Sequence, residues 1–390
     1  VYTGQRGCVL DKDELGKYFC MAPFTHIAVD SQQNFRPCCM FYPTIYDKRY
    51  DSVRKVFDSV ENETLRQKML NGEKIKGCEK CYRDEKLNKN SYRNDFNNRY
   101  FKEEYIKNPK IKELELALGN KCNLKCVTCN SYYSSAWEKE DKLLSRIMRR
   151  RIVENDRVNE NLEDFLNYDF SDLRQIKILG GEPFLYKEYF DFFEKIQVDK
   201  INVFLVTNNT IFPNNDWLMK FKQFNNVKIN ISIDGVHELG EFVRYGLNFK
   251  RFTKNFEKWI KFSNENNNVD IIPHLVIHNL NILNVVSTYE WLSKYFDKKT
   301  FLSFDILDDP QYLNIGFLPD NVKSFVLQKI SNFNYFNTIK EYLNMTKFDV
   351  NSMKEFLKYA NFLSTRNDLP EESLIIYNLI KQSIKNVEFE

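Results

Sequence analysis

The sequence predicts an α/β protein in which a parallel sheet, curved or open, lies between a cysteine-rich N-terminal region and a helical C-terminal one. Three observations predict it. Between about residues 106 and 310, six strand-like segments alternate with helical ones. All nine cysteines lie at or before position 129. Beyond residue 311 strand signals stop, and apolar residues recur at helical spacing.

Residues 1–105 form the first unit, with a strand expected at 25–29 and a helix at 53–70, where Val53, Val56, Phe57 and Val60 repeat. In residues 106–310 the strands are 114–118, 175–179, 201–206, 227–233, 269–277 and 301–307, with helices such as 184–196 and 252–262 between them. Residues 311–390 read as helices, for instance through Val322, Phe325, Val326 and Ile330, then Met353, Phe356, Leu357 and Ala360. Strand alternation also points to the site. Ile229, Ile231 and Ile233 share one face of their strand, and Asn230, Ser232 and Asp234 share the other. Ser303 and Asp305 likewise share a face, as do His274 and His278. A packed barrel interior would be apolar. Polar inner faces therefore predict an interior open to ligands, with solvent-exposed faces of an ordinary sheet as the alternative.

Charged residues make up 28% and hydrophobic ones 43%, as in soluble globular proteins. A formal charge of +3 argues for neither nucleic acid nor membrane. The run Arg149-Arg150-Arg151 is flanked by acidic residues and reads as a solvated helix face. No apolar run approaches the roughly 20 residues of a membrane span. No signal-peptide pattern opens the sequence, so a cytoplasmic location is expected. An odd, clustered set of cysteines in a reducing compartment points to metal rather than disulfides.

Cys122, Cys126 and Cys129 form CxxxCxxC directly after the first strand of the alternating region. Three thiolates within eight residues can wrap one cluster or metal ion from a single loop. Structural zinc normally takes a fourth protein ligand. No Cys or His follows nearby, which leaves one metal position open to a substrate.

The motif and its position resemble the radical S-adenosylmethionine (radical SAM) enzymes. The resemblance implies a [4Fe–4S] cluster on these three cysteines whose fourth iron binds SAM. Reductive cleavage would then give methionine and a 5′-deoxyadenosyl radical that abstracts a substrate hydrogen. Thr128 stands where the family usually has an aromatic residue, and Ser131 to Trp137 resembles a subgroup with a small-polar run and a Trp after the motif. Gly180-Gly181-Glu182-Pro183, at the end of the second strand, resembles the GGEP segment that holds the amino group of SAM. Asn208 ends the third strand, and Ser232 and Asp234 end the fourth, where similar enzymes contact the ribose. Arg244 resembles an arginine that pairs with the SAM carboxylate. The resemblance covers about 110–310 and implies a partial (β/α)6 barrel.

Cys20, Cys38, Cys78 and Cys81 form a second ligand set, with Cys39 the alternative to Cys38. Four thiolates would close the coordination of a [4Fe–4S] cluster or a zinc ion. The pattern resembles the SPASM/twitch auxiliary-cluster module, although that module usually follows the barrel and has a glycine where this chain has Gln33. Cys8 and the spare member of the Cys38–Cys39 pair are expected to be small buried residues; a thiol that gives hydrogen to a substrate radical is the sharper option. Of the four histidines, His274 or His278 lining the cavity is the functional reading retained. Relatives of this kind modify peptide or protein side chains, which implies a peptide or protein substrate and a flavodoxin- or ferredoxin-type reductant. Oxidation or dehydration of a small sugar, aminocyclitol or nucleotide is the second reading. A non-catalytic iron–sulfur or zinc scaffold is the third.

Overall fold

The computed structural model describes residues 15–42, 51–86, 90–148, 162–296 and 302–388; Cys8 and the Arg149-Arg150-Arg151 run lie outside the described residues. Its strands are β1 (His26–Val29), β2 (Phe35–Arg36), β3 (Glu113–Leu116), β4 (Lys125–Cys126), β5 (Gln175–Ile178), β6 (Asn202–Thr207), β7 (Asn226–Ser232), β8 (Arg244–Tyr245), β9 (Val269–Ile277) and β10 (Ser303–Ile306). Eight of them form one sheet in the order β10-β9-β7-β6-β5-β3-β1-β2. From β3 to β10 the six sheet strands are parallel and neighbour one another in chain order. This is the strand order that a βα repeat produces when each helix returns the chain to the same edge. The N-terminal region extends the sheet: β1 runs parallel to β3, and β2 closes the edge antiparallel to β1. Strands β4 and β8 form a separate two-residue ribbon.

Period-2 alternation divides the sheet into two faces. Leu114, Leu116, Ile176, Ile178, Val203, Leu205, Ile229 and Ile231 are buried in one apolar core. Tyr189 and Phe193 of the helix Lys187–Lys195, and Phe252, Phe256 and Trp259 of the helix Phe249–Asn264, belong to the same core. Burying such side chains contributes about 1.5–3 kcal/mol each. The opposite face carries Glu113, Glu115, Lys177, Asn230, Ser232, His274 and Asp305.

That polar face is the inner one. Tyr92, in the N-terminal helix Tyr92–Tyr100, lies with its ring 5.6 Å from Lys177 Nζ on β5. It also feels the charge of Asp305 on β10. In a flat sheet those two strands would lie roughly 19 Å apart. Lys80 meets Asp308, just beyond β10, at 4.0 Å. The sheet therefore curls, and the N-terminal helices lie across its opening.

Two helices differ from the sequence expectation. Residues 53–70 form Val53–Phe57 and Val60–Leu70. The break is a cap: Ser59 Oγ accepts from Asn62 N at 3.2 Å, and the Asn62 amide group donates to Phe57 O at 3.0 Å. Residues 184–196 begin as a 3₁₀ turn, Pro183–Leu185, before the helix Lys187–Lys195. The C-terminal region is helical as expected, in Asp320–Ile330, Asn337–Met345, Val350–Leu363 and Glu371–Glu388. A smaller second core of Phe19, Phe24, Phe41, Leu65, Met69, Ile75 and Phe96 surrounds Cys20. Among the described residues no helix is long and apolar enough to cross a membrane.

Candidate active site

The cysteine loop leaves β3 and presses against the turn that follows β5. Gly180 and Gly181 have φ of 74° and 54°, a region that favours glycine. A Cβ on Gly181 would lie 2.5 Å from Lys121 O, and one on Gly180 2.6 Å from Ala117 Cβ. Glu182 N donates to Lys121 O at 2.9 Å. Lys121 N in turn donates to the Tyr186 hydroxyl at 2.5 Å. The GGEP turn and the first cysteine are thus built as one piece.

Glu182 is buried beneath them. Its Oε1 accepts from Thr207 Oγ1 at 2.8 Å, and its Oε2 from Asn208 N at 2.7 Å. Burial pushes this carboxyl up to about 7, against the pull of those hydrogen bonds. The Asn208 amide group donates to Asn123 Oδ1 at 3.0 Å and lies 3.6 Å from Cys122 Sγ. Asn123, inside the CxxxCxxC spacer, and Thr207, next to Asn208, are site residues that motif reading passed over.

The β4–β8 ribbon places Arg244 opposite Cys126. Arg244 Nη1 lies 2.6 Å from Asp234 Oδ2, and both residues are buried. Asp234 Oδ1 accepts from Val276 N at 3.0 Å. Burial works against the guanidinium charge, yet Cys126 and Asp234 beside it hold Arg244 above its ordinary value. Arg244 Nε is buried without a hydrogen-bond partner among the described residues. Ser232 ends β7, half-buried on the polar face, and pairs in register with His274. His274 Nδ1 lies 3.2 Å from Ser303 Oγ, whereas His278 is fully buried, and burial pushes it down to about 4. Of the two, only His274 lies on the polar face.

A hydrogen bond with Cys129 pushes the Cys126 thiol up and, with the same contact, pulls Cys129 down. Cys122 is pushed up by burial and feels Cys126. Buried thiols of this kind ionise when a cationic metal centre supplies the opposing charge. An orphan guanidinium N–H and three thiols at one loop fit an anionic ligand beside an iron–sulfur centre.

Four N-terminal cysteines converge in the same way. Cys38 feels Cys20, Cys78 and Cys81, and Cys20 feels Cys78 and Cys81. Burial pushes Cys20, Cys38 and Cys81 upward and Cys78 up to about 12. Cys39 turns the other way and hydrogen-bonds with Glu115 on the polar face of the sheet. Of the adjacent pair, Cys38 is therefore the one whose thiol faces Cys20, Cys78 and Cys81. Among the described residues no group of three or more His, Cys, Asp or Glu side chains closes to the spacing of a single metal ion. The two cysteine sites are tied together by the β1–β2 turn. Asp30 Oδ2 accepts from Arg36 at 2.9 Å and from the Tyr132 hydroxyl, three residues after Cys129, at 2.5 Å.

Residues 116–292 match the Radical SAM superfamily. A radical SAM domain therefore spans those residues of the chain. It is 29% identical over 213 residues to a cysteine-type anaerobic sulfatase-maturating enzyme of Clostridium novyi, covering 50% of this chain and 51% of the relative. It is 28% identical over 152 residues to a protein of Methanococcus maripaludis named as a GTP 3′,8-cyclase, covering 39% and 46%. The chain thus spans about half the length of the curated relatives it matches. A solved structure described as native anSMEcpe with bound AdoMet aligns over 61% of this chain and 62% of its own, at 22% identity and a TM-score of 0.37. Streptococcus suis SuiB bound to S-adenosylmethionine aligns over 59% and 45%, at 14% identity and a TM-score of 0.35. The cofactors of the radical SAM superfamily are a [4Fe–4S] cluster and SAM.

Glu182, inside the matched domain, gives a direct test of whether this turn receives SAM. Glu182→Gln keeps the shape under the turn and removes the charge that would face an ammonium group. Hydrogen bonds to charged groups contribute about 1.5–3 kcal/mol. SAM affinity, measured by calorimetry on the reconstituted protein, should fall tenfold or more with iron content unchanged. Equal affinity in the variant would remove Glu182 from SAM binding.

Proposed function

We propose that this chain is a radical SAM enzyme that modifies a peptide or protein side chain. Cys122, Cys126 and Cys129 would hold a [4Fe–4S] cluster, which with SAM bound would supply the reductive chemistry for abstracting a substrate hydrogen. The observation that carries this reading is the contact of the three-cysteine loop with the GGEP turn, which puts Glu182, Asn208 and Arg244 around one group of thiols.

Each residue has a defined task. Gly180 and Gly181 let the backbone approach where a side chain would collide. Glu182 supplies negative charge for the SAM ammonium, and Arg244, fixed by Asp234, keeps one N–H for its carboxylate. Ser232 and Asp234 stand at the end of β7, on the side of the sheet where barrel enzymes react. The polar inner face, screened by the N-terminal helices, receives the substrate. Cys20, Cys38, Cys78 and Cys81 would hold an auxiliary [4Fe–4S] cluster of the SPASM/twitch kind as an electron outlet, which zinc cannot provide.

The sulfatase-maturating relative favours a protein substrate, and the cyclase relatives favour a nucleotide as the second reading. Hydrogen abstraction marks its own substrate. Reduced enzyme with unlabelled SAM and a deuterated cell extract, divided into peptide and nucleotide fractions, should give deuterated 5′-deoxyadenosine with the peptide fraction. Deuterium arriving only from the nucleotide fraction would contradict the peptide reading.

A further inference from the structure

We propose that the C-terminal helix Val350–Leu363 positions the three-cysteine loop, with Tyr359 and Trp137 as positioning residues that fix the peptide units at Cys126 and Val127. This rests on the radical SAM reading of the loop and assigns a task to a region outside residues 116–292.

The contacts fall on two consecutive carbonyls. Trp137 Nε1 donates to Cys126 O at 3.0 Å, and the Tyr359 hydroxyl donates to Val127 O at 2.8 Å. Both aromatic side chains are 0% exposed, so neither bond competes with water. Cys126 O also accepts from Cys129 N at 3.0 Å, so Trp137 supports the carbonyl that joins the second cysteine to the third. On the other side, Val127 N donates to Val243 O at 2.8 Å, next to the ribbon in which Cys126 faces Arg244.

The aromatic donors are themselves held. The Trp137 and Tyr359 rings stack with centroids 6.5 Å apart, and Tyr312 packs edge-on against Tyr359 at 5.1 Å. Arg366, just beyond the helix, lies over Trp137 with its guanidinium carbon 4.2 Å from the ring centroid. It pairs with Glu140, which also pairs with Lys125, the residue before Cys126. Residues 125, 126 and 127 are thus each gripped by a side chain from outside the loop.

Ordinary packing would need only the apolar face of the helix, formed by Met353, Phe356, Ala360 and Leu363. It would not need a hydroxyl aimed at the loop. The central cysteine belongs to a two-residue ribbon, which offers little backbone support of its own. Its thiol direction depends on the peptide planes on either side, and those are the planes that Trp137 and Tyr359 hold. Groups that orient metal ligands from outside typically change metal affinity or activity by about 10–100-fold when removed.

The test uses the full chain with Tyr359→Phe, which keeps the ring and its stack but deletes the donor. Val326→Ala is the control, since Val326 is buried in the helix Asp320–Ile330, which packs on Glu371–Glu388 and Asn337–Met345. Electron paramagnetic resonance of the reduced protein before and after SAM isolates the cluster that answers to SAM. Tyr359→Phe should change that SAM-responsive signal and speed iron loss to a chelator roughly tenfold. Val326→Ala should lower the thermal midpoint and leave both readouts at wild-type values. Hydrogen exchange across residues 122–130 of the metal-free chain should rise in Tyr359→Phe and not in Val326→Ala. Wild-type signal, chelation rate and exchange in Tyr359→Phe would overturn the proposal. A wild-type protein without any SAM-responsive signal, but with the exchange difference, would contradict the radical SAM reading while leaving the clamp in place.

Discussion

Replacing Cys122, Cys126 and Cys129 together with alanine should bring 5′-deoxyadenosine formation below detection. The three thiols are the only cysteines on the loop that presses against the GGEP turn, and Asn208 reaches the first of them directly. Iron should not vanish with activity. Cys20 sits in a separate small core with Phe19, Phe24 and Phe41, Cys38 and Cys78 pack against it, and Cys81 acts on the same thiols, so their site should survive the substitution. About four irons and four sulfides per chain should remain in the triple variant, measured by colorimetric iron and acid-labile sulfide. One zinc and no iron there, in protein made with ample iron, would exclude an auxiliary cluster. Cys39→Ala should leave that count unchanged, because its thiol is turned to Glu115.

Asp234→Ala should be the most damaging change away from the cysteines. It leaves the Arg244 guanidinium buried without its carboxylate, a loss that typically costs about 3–5 kcal/mol. It also frees Val276 N, which donates to the other carboxylate oxygen. Because Arg244 pairs with Cys126 across the β4–β8 ribbon, the damage should reach the cysteine loop and lower iron occupancy as well as the thermal midpoint. Asp234→Asn keeps one acceptor but turns an NH2 group toward the other donor and removes the charge, so it should recover only part of the loss. A thermal midpoint for Asp234→Ala equal to that of the wild type would show that Arg244 finds another partner.

What could be read from the sequence was what is written in neighbouring residues. CxxxCxxC and GGEP carry their chemistry within a few positions, and strand alternation at Asn230, Ser232 and Asp234 pointed to a polar inner face. Long-range geometry was hidden. Residues 25–29 read as a strand, but nothing local says that β1 pairs with β3, more than eighty residues on. Cys38 and Cys39 are chemically equal in sequence; only the backbone sends one toward Cys20, Cys78 and Cys81 and the other toward Glu115. The Ser59 cap lay inside an apolar repeat that looked continuous from 53 to 70. Arg244, expected from the sequence as a partner for the SAM carboxylate, is held by Asp234, which no local pattern announced. Tyr359 carried no signal at all, since one tyrosine in an amphipathic helix looks like core until its hydroxyl is seen on Val127 O.

The most direct measurement is the fate of SAM. Protein reconstituted with iron and sulfide without oxygen, then reduced with dithionite, should convert SAM to 5′-deoxyadenosine and methionine in equal amounts. The triple-alanine variant of Cys122, Cys126 and Cys129 should give none. Formation of 5′-deoxyadenosine by that variant at the wild-type rate, or none by the fully iron-loaded and reduced wild type, would contradict the assignment of this loop to SAM cleavage.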